Sequence, residues 1–299
     1  MTSVMKPFFS AMLIGDSPDP TAKVGFKVVR ELSKADHDRY RTDYQLVERL
    51  LHTSIAAYVN QTLKDFIRVI EQDVEELKSG QVNFTQPDDV VRMGIRMRGA
   101  VLTLCSALHM HQEHINGEVV ERFGENSSVH KKVRKIFTRL YDKSQAYRIL
   151  WHTRNTMVHH TLETISISAT AFLDSNNERQ AVTMPRVDLS AIIELNDRIS
   201  DSFRAELVDL GENPYVLELI NEAIPLVSEA NKRINTHLYP QLDAACATIR
   251  EFDSIFAGLD GVRALTSERT TNDPPPLKFS YSTWSGDVIM FARERLASA

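Results

Sequence analysis

The chain contains little cysteine and lacks the long apolar runs of membrane proteins. Its two cysteines, Cys105 and Cys246, lie far apart and form neither a disulfide framework nor a Cys-x-x-Cys metal site. Cys105 falls in an apolar helical pattern, which indicates a buried free thiol. No apolar run reaches the ~18 residues that a membrane-spanning helix needs. The apolar patch at 8–14 lacks the features of a signal peptide, so we expect a cytoplasmic protein that does not bind membranes.

The short motifs of several large enzyme classes are also absent. The sequence contains no Gly-x-x-x-x-Gly-Lys-Ser/Thr loop, no Gly-x-Gly-x-x-Gly after a strand, no Gly-x-Ser-x-Gly and no His-Glu-x-x-His. These absences argue against P-loop hydrolases, dinucleotide-dependent dehydrogenases, serine hydrolases and zinc peptidases. The net charge is -5, so a surface that binds nucleic acid must be local rather than cover the whole molecule.

Hydrophobic periodicity predicts a mainly α fold, a helical bundle with a small antiparallel β-hairpin or sheet inserted after the third long helical segment. Apolar residues recur at helical spacing over 35–78, 89–115 and 130–162, with breaks at Gly117 and at 142–144. The pattern then alternates, and 163–173 and 181–187 predict a hairpin around a turn at 174–179. Other segments predict helices over 188–211, 214–234, 237–256 and 286–296, a polar loop over 258–276, and short strands over 8–14, 24–29 and 277–284.

These elements suggest three regions. Residues 1–36 form an N-terminal segment with short strands, residues 37–165 form the helical bundle, and residues 166–299 contain the hairpin and a helical C-terminal region that matches no family known to us. We expect the strand at 277–284 to pair with the hairpin and make a three-stranded sheet.

The string RNTMVHH at 154–160 combines residue types that suit phosphodiester chemistry. Cleavage of RNA without a metal requires a base for the 2′-hydroxyl proton, an acid for the leaving 5′-oxygen and a cation for the charged phosphorane. Histidine suits the proton transfers because its unperturbed pKa is about 6.5. Arginine presents a planar charged fork to phosphate oxygens, and asparagine is a neutral hydrogen-bonding group. Arg154, Asn155 and His159 are therefore the candidate catalytic residues.

Helical geometry relates these three side chains. Asn155 and His159 are one turn apart and share a face. Arg154 lies roughly 140° from His159 around the helix axis, so only its long side chain brings the guanidinium near. One copy of the string supplies a single histidine at this position, which is too few for an independent acid and base. A symmetric dimer would bring two copies together.

The string resembles the Arg-[Asn/His/Asp]-x-x-x-His signature of the HEPN families (higher eukaryotes and prokaryotes nucleotide-binding domains). Arg154, Asn155 and His159 match its three defined positions, at the end of the helical region 37–165. The resemblance implies an RNA-binding helical bundle, and in many members a metal-independent endoribonuclease of toxin–antitoxin or phage-defence systems. It implies a homodimer with the site at its interface, a cognate antitoxin or regulatory partner, and no cofactor.

A basic segment precedes the motif. It contains only one acidic residue, Asp142, and could follow a phosphate backbone. The candidate RNA-binding residues are Lys131, Lys132, Arg134, Lys135, Arg139 and Arg148. The alternative is a solvated helix face balanced by the acidic residues at 71–76.

Two other functions compete with this hypothesis. The first is a non-catalytic helical interaction module, in which Arg154 and His159 are structural and Arg154 pairs with a carboxylate. The second is a metal site built on His111 and His114 with a third ligand from elsewhere. His109 and His111 point about 200° apart on a helix, so all three histidines cannot share one ion. We expect no metal, and we expect His160 to be a surface residue.

Overall fold

The computed structural model describes residues 9–16, 24–266 and 280–297. It confirms the prediction of a mainly helical protein with a β-hairpin and a small antiparallel sheet. The α-helices of the described residues are α1 (Lys34–Glu48), α2 (Ile55–Ser79), α3 (Pro87–Phe123), α4 (Ser128–Lys143), α5 (Gln145–His159), α6 (Leu189–Leu195), α7 (Asp201–Asp209), α8 (Val216–Leu238), α9 (Leu242–Ser254) and α10 (Gly286–Ala297). The strands are β1 (Phe9–Gly15), β2 (Gly25–Leu32), β3 (Ile165–Leu173), β4 (Arg179–Val187), β5 (Val262–Thr266) and β6 (Tyr281–Thr283).

The chain forms two compact units. The first consists of residues 1–54 and 239–299, and the second is the continuous stretch 55–238. These boundaries differ from the expected divisions at 36 and 165, because the hairpin and the helices α6 to α8 belong to the same unit as α2 to α5. Each unit is described by itself below.

In the first unit, four antiparallel strands form a sheet in the order β2-β1-β5-β6. The strands predicted over 8–14 and 24–29 correspond to β1 and β2; residue 8 lies outside the described residues. The expected pairing of 277–284 with the hairpin is wrong, since β6 pairs with β5 instead. The loop predicted over 258–276 is wrong at β5, whose Ala264 and Leu265 are buried. Much of the predicted loop, including 274–276, lies outside the described residues.

The core of the first unit lies between its sheet and its helices. Aromatic residues dominate it: the Tyr44 and Trp284 rings stack with centroids 4.5 Å apart, and Phe252 lies 3.9 Å from Trp284.

The helix predicted from 35 to 78 is interrupted. After α1 the chain makes a wider π-helical turn over Arg49–Thr53, and Ser54 is extended before α2 begins.

In the second unit, α2 to α5 form the helical bundle. The predicted break at Gly117 is wrong, because α3 continues through this exposed glycine to Phe123. A glycine inside a helix costs only about 1 kcal/mol relative to alanine, which the buried apolar face of α3 outweighs. The helix ends instead at Gly124, whose φ of 85° and ψ of 153° are suited to glycine.

The predicted hairpin is confirmed, with β3 and β4 paired without a shift from Ile165 opposite Val187 to Leu173 opposite Arg179. The Asp174 carboxylate accepts hydrogen bonds from the backbone N–H groups of Asn176 and Glu178 and so stabilises the turn. One face of the hairpin packs against α2 and α3 through Ala181 and its neighbours. The hairpin is therefore part of the bundle's wall.

Serine caps fix the two helices that precede the hairpin. The Ser127 hydroxyl accepts from the His130 N–H at the start of α4, and the Ser144 hydroxyl accepts from the Tyr147 N–H at the start of α5. Since Ser144 also terminates α4, the predicted break at 142–144 is confirmed. The segment 188–211 forms two helices rather than one, and the connection 196–200 between them reaches the site described next. Of the helices in the described residues, none is long and apolar enough to cross a membrane.

Candidate functional site

An open pocket of about 630 Å³ lies among α3, α4, α5 and the connection between α6 and α7. Its lining is mainly polar and includes three histidines and two arginines. The residues that line it are His109, Gln112, Glu113, Phe137, Thr138, Tyr141, Trp151, His152, Arg154, Asn155, His159 and Arg198. All of them belong to the second unit.

The three motif residues line this one pocket. Asn155 and His159 follow each other along α5 at the spacing of one turn. The side chain of Arg154 reaches across, and its Nη1 donates to Asn155 Oδ1 at 3.1 Å. Arg154 and Asn155 are half-buried, whereas His159 is exposed at the last residue of the helix. His160, the next residue, is exposed and does not line the pocket.

The charge of Arg154 has no acidic partner among the residues that the structure describes. Its hydrogen bond is to a neutral amide, and its Nε is buried without an acceptor. The pKa of His109 is lowered first by burial and then by the positive charge of Arg154, while Glu113 acts in the opposite direction. A half-buried guanidinium without a carboxylate is well suited to bind an anion.

His109 packs face to face with Trp151, with ring centroids 3.9 Å apart and planes at 28°. Its Nδ1 lies 3.4 Å from Glu113 Oε1, which is within ion-pair distance although the alignment is not that of a hydrogen bond. The mostly exposed Glu113 carboxylate also lines the pocket and reduces its positive charge. His109 thus belongs to the same site as the motif.

The histidines of α3 do not converge on a metal ion. His111 is buried, and its Nε2 lies 3.2 Å from Asn231 Oδ1, away from the pocket that contains His109. Within the described ranges, no group of three or more His, Cys, Asp or Glu side chains could hold a metal ion. The arrangement offers no support for a site on His111 and His114.

Two of the residues that line the pocket, Tyr141 and His152, belong to a hydrogen-bonded row of three side chains that ends at Asn196. The Tyr141 hydroxyl lies 2.7 Å from His152 Nε2, and His152 Nδ1 lies 3.2 Å from Asn196 Nδ2. Burial, and then the charge of Arg148, lowers the pKa of His152 to about 4. Burial is also the main cause of the raised pKa of Tyr141. His152 is therefore neutral and Tyr141 is protonated at physiological pH.

The predicted RNA-binding residues divide into two groups. The five on α4 are exposed, and none of them has an ion-pair partner among the described residues: Lys131, Lys132, Arg134, Lys135 and Arg139. Arg148 differs, since it donates to both carboxylate oxygens of Glu206, at 2.6 and 3.2 Å, and lies 4.7 Å above the Phe203 ring. These contacts give Arg148 a structural role in joining α5 to α7.

The exposed cations of α4 also lie on two sides of the helix. Lys131 and Arg134 fall on the side that carries Thr138 and Tyr141, which line the pocket. Lys132 and Arg139 lie further round the helix, about 80–160° from that pair, where Arg139 contributes to a separate groove of about 400 Å³ between α4 and α8. Only the first side leads directly to the motif.

Several residues of the pocket were not identified from the sequence. Trp151, Tyr147 and Phe137 have the spacing of core residues; the last two are buried, but Trp151 is half-buried and lines the pocket. His109 was considered only as part of a histidine cluster. Arg198 carries no local signal, because it reaches the site from a connection that was predicted to be helical.

Comparisons of the chain with known protein families, with curated protein sequences and with solved structures found no match. The case for a function therefore depends on the chemistry of the pocket and on the motif that it contains.

Proposed function

We propose that the protein binds RNA and cleaves it without a metal ion, in the pocket formed around Arg154, Asn155 and His159. One observation carries this proposal. The Arg154 guanidinium, which has no carboxylate partner in the described part of the chain, lines the same pocket as the exposed His159 imidazole. A phosphate oxygen would supply the acceptor that the guanidinium lacks, beside a group suited to proton transfer.

The proposed reaction assigns each motif residue one task. His159 takes the proton of the 2′-hydroxyl, whose oxygen attacks the adjacent phosphorus. The bond from phosphorus to the 5′-oxygen breaks, the leaving oxygen receives a proton, and the products are a 2′,3′-cyclic phosphate and a 5′-hydroxyl. Arg154 binds the non-bridging oxygens as charge accumulates on them. Asn155 holds the guanidinium through the hydrogen bond to Nη1.

The surroundings support an extended anionic substrate rather than a single phosphate. Arg198 lines the pocket as a second cation, and no described carboxylate forms an ion pair with it. Lys131 and Arg134 lie along the side of α4 that leads to the pocket. A strand that passes these cations would place one phosphate beside Arg154 and its neighbours along α4.

The resemblance to the HEPN families adds an assembly and a biological setting to the proposal. On that basis we infer a homodimer, a role in a toxin–antitoxin or phage-defence system, and a cognate antitoxin or regulatory protein. Sedimentation of the purified chain tests the dimer. A monomer at all concentrations, together with RNA cleavage, would remove the dimer from the proposal and leave the chemistry intact.

The experiment compares four proteins on RNA in the presence of EDTA: the unaltered chain, Arg154→Ala, His159→Ala and His160→Ala. General acid–base groups contribute about 100-fold or more to a rate, so we expect at least that loss in His159→Ala and a comparable loss in Arg154→Ala. His160→Ala is the matched control because His160 is equally exposed and adjacent but lies outside the pocket. Equal cleavage by His159→Ala, or none by the unaltered chain, would contradict the proposal.

The same variants distinguish the non-catalytic alternative. An interaction module with a structural Arg154 and His159 requires that His159→Ala lower the free energy of unfolding. The exposure of His159 and the absence of a described carboxylate at Arg154 favour the opposite result. We expect His159→Ala and His160→Ala to unfold at the same denaturant concentration as the unaltered chain.

A further inference from the structure

The reaction proposed above leaves one proton unassigned, the one that the departing 5′-oxygen must receive. Tyr141 and His152 line the same pocket, and they form a hydrogen-bonded row with Asn196. The partners of Asn196 fix the direction of the hydrogen bonds in this row. The Oδ1 of Asn196 accepts from the backbone N–H of Arg198 at 3.1 Å. If the amide were rotated, its NH₂ group would face that N–H, and two donors would oppose each other.

The orientation of Asn196 determines which nitrogen of His152 carries the proton. The amide Nδ2 can only donate, and it lies 3.2 Å from His152 Nδ1. Nδ1 must therefore accept. A neutral imidazole has one N–H group, so the proton of His152 is on Nε2. Burial keeps the ring neutral, as its pKa of about 4 indicates.

The His152 proton in turn directs the hydroxyl of Tyr141. Nε2–H donates to Tyr141 Oη at 2.7 Å, so this oxygen is an acceptor in that bond and its own O–H group must point elsewhere. Tyr141 is half-buried and lines the pocket, and no other described group forms a hydrogen bond with its hydroxyl. The hydroxyl proton is thus available to a ligand in the pocket.

We propose that Tyr141 donates the proton to the leaving 5′-oxygen, and that His152 and Asn196 position it. The proposal rests on the RNA cleavage proposed above. As the bond from phosphorus to the 5′-oxygen breaks, the electron pair stays on that oxygen and the Tyr141 hydroxyl proton passes to it. The Nε2–H of His152 stabilises the phenolate that remains, because a hydrogen bond to a charged form favours that form. Proton exchange with water then restores Tyr141 and His159.

This assignment places both proton-transfer groups in one chain. His159 extends from α5 and Tyr141 from α4, and both line one pocket. The presence of only one histidine at this position of the motif therefore does not require a second subunit. Tyr141 is a proposed catalytic residue, whereas His152 and Asn196 are positioning residues because they act through it.

The test uses Tyr141→Phe and two RNA substrates that differ at one atom. In the first, the bridging 5′-atom is oxygen; in the second it is sulfur, which departs as a thiolate and needs no proton. We expect Tyr141→Phe to cleave the oxygen substrate about 100-fold more slowly than the unaltered chain and the sulfur substrate at the same rate. His159→Ala should lose activity on both. Tyr58→Phe is the control, since Tyr58 is exposed on α2 and lies outside the pocket.

Each outcome has a distinct meaning. Equal losses of activity by Tyr141→Phe on both substrates would show that Tyr141 is merely structural. Full activity of Tyr141→Phe on the oxygen substrate would show that another group donates the proton. Either result overturns the assignment of Tyr141 and leaves the proposed function intact. If the unaltered chain cleaves neither substrate, the proposed function is overturned as well. Nitrogen NMR of His152 provides an independent measurement: we expect a protonated Nε2 and an unprotonated Nδ1, and the opposite tautomer would overturn the hydrogen-bond argument.

Discussion

The division of the exposed cations on α4 makes a quantitative prediction about RNA binding. Lys131 and Arg134 lie on the side of the helix that leads to the pocket, whereas Lys132 and Arg139 lie further round the helix, toward the groove between α4 and α8. Each pair contains one lysine and one arginine, so replacing either pair with glutamine removes the same charge from the same helix. The two double variants therefore differ only in which side loses its cations.

The expected magnitude follows from counterion release. For a single strand, each phosphate contact contributes about 0.7 to the slope of log K against log salt. Loss of the two contacts at Lys131 and Arg134 should reduce the slope by about 1.4. Between 50 and 200 mM salt, this difference in slope changes the ratio of the RNA affinity of the unaltered chain to that of the double variant by about 7-fold. The double variant at Lys132 and Arg139 loses the same long-range attraction but no phosphate contact, so its slope should change less.

Fluorescence anisotropy with a labelled 2′-O-methyl RNA measures these slopes without cleavage. A salt series on the unaltered chain and both double variants gives three slopes under identical conditions. An equal or larger change in the Lys132 and Arg139 variant would refute the assignment of the RNA path to the pocket side of α4. Thermal unfolding of the three proteins checks that the substitutions, all of them at exposed positions, leave the fold unchanged.

Two further predictions concern stability and are measured by urea unfolding. Gly117→Ala should stabilise the protein by about 1 kcal/mol, because Gly117 is exposed within α3 and has no atoms within 4 Å of an added Cβ. Gly124→Ala should destabilise it by about 1–3 kcal/mol, because its φ of 85° strains any other residue. A Gly124→Ala variant more stable than Gly117→Ala would contradict the observed end of α3. The buried His152 has a pKa of about 4 in the folded chain, against 6.5 in the unfolded chain. As the pH falls from 6.5 to 4, His152 is therefore protonated in the unfolded chain before it is protonated in the folded one. The free energy of unfolding decreases over this range by about 3 kcal/mol in all. His152→Gln should lack this component between pH 7 and 5, and an unchanged pH dependence would contradict the assignment.

Local sequence signals predicted the local structure well. The break in the helical pattern at 142–144 indicated two separate helices, and the alternating residues after the motif indicated the hairpin; the structure confirms both. Gly117 was misjudged because local propensity was given more weight than the buried face of a long helix. The partner of β6 was also misjudged, since strand pairing depends on contacts distant in sequence, and β5 is a five-residue strand with a weak pattern.

The site was predictable only where one helix determines it. The spacing of Asn155 and His159 on α5, and the need for Arg154 to reach around, follow from helical geometry, and the structure brings all three to one pocket. The other contributors come from α3, α4 and a connection after the hairpin. Their convergence depends on the packing of helices, which no single segment encodes.

The central claim is that Arg154 and His159 cleave RNA through its 2′-hydroxyl, and the ends of the products test it most directly. RNA incubated with the purified chain and EDTA should yield 5′-hydroxyl and 2′,3′-cyclic phosphate ends, as read by mass spectrometry. A single 2′-deoxy residue should block cleavage at its own position and nowhere else. Ends that carry a 5′-phosphate and a 3′-hydroxyl, or cleavage that persists at the deoxy position, would contradict the claim.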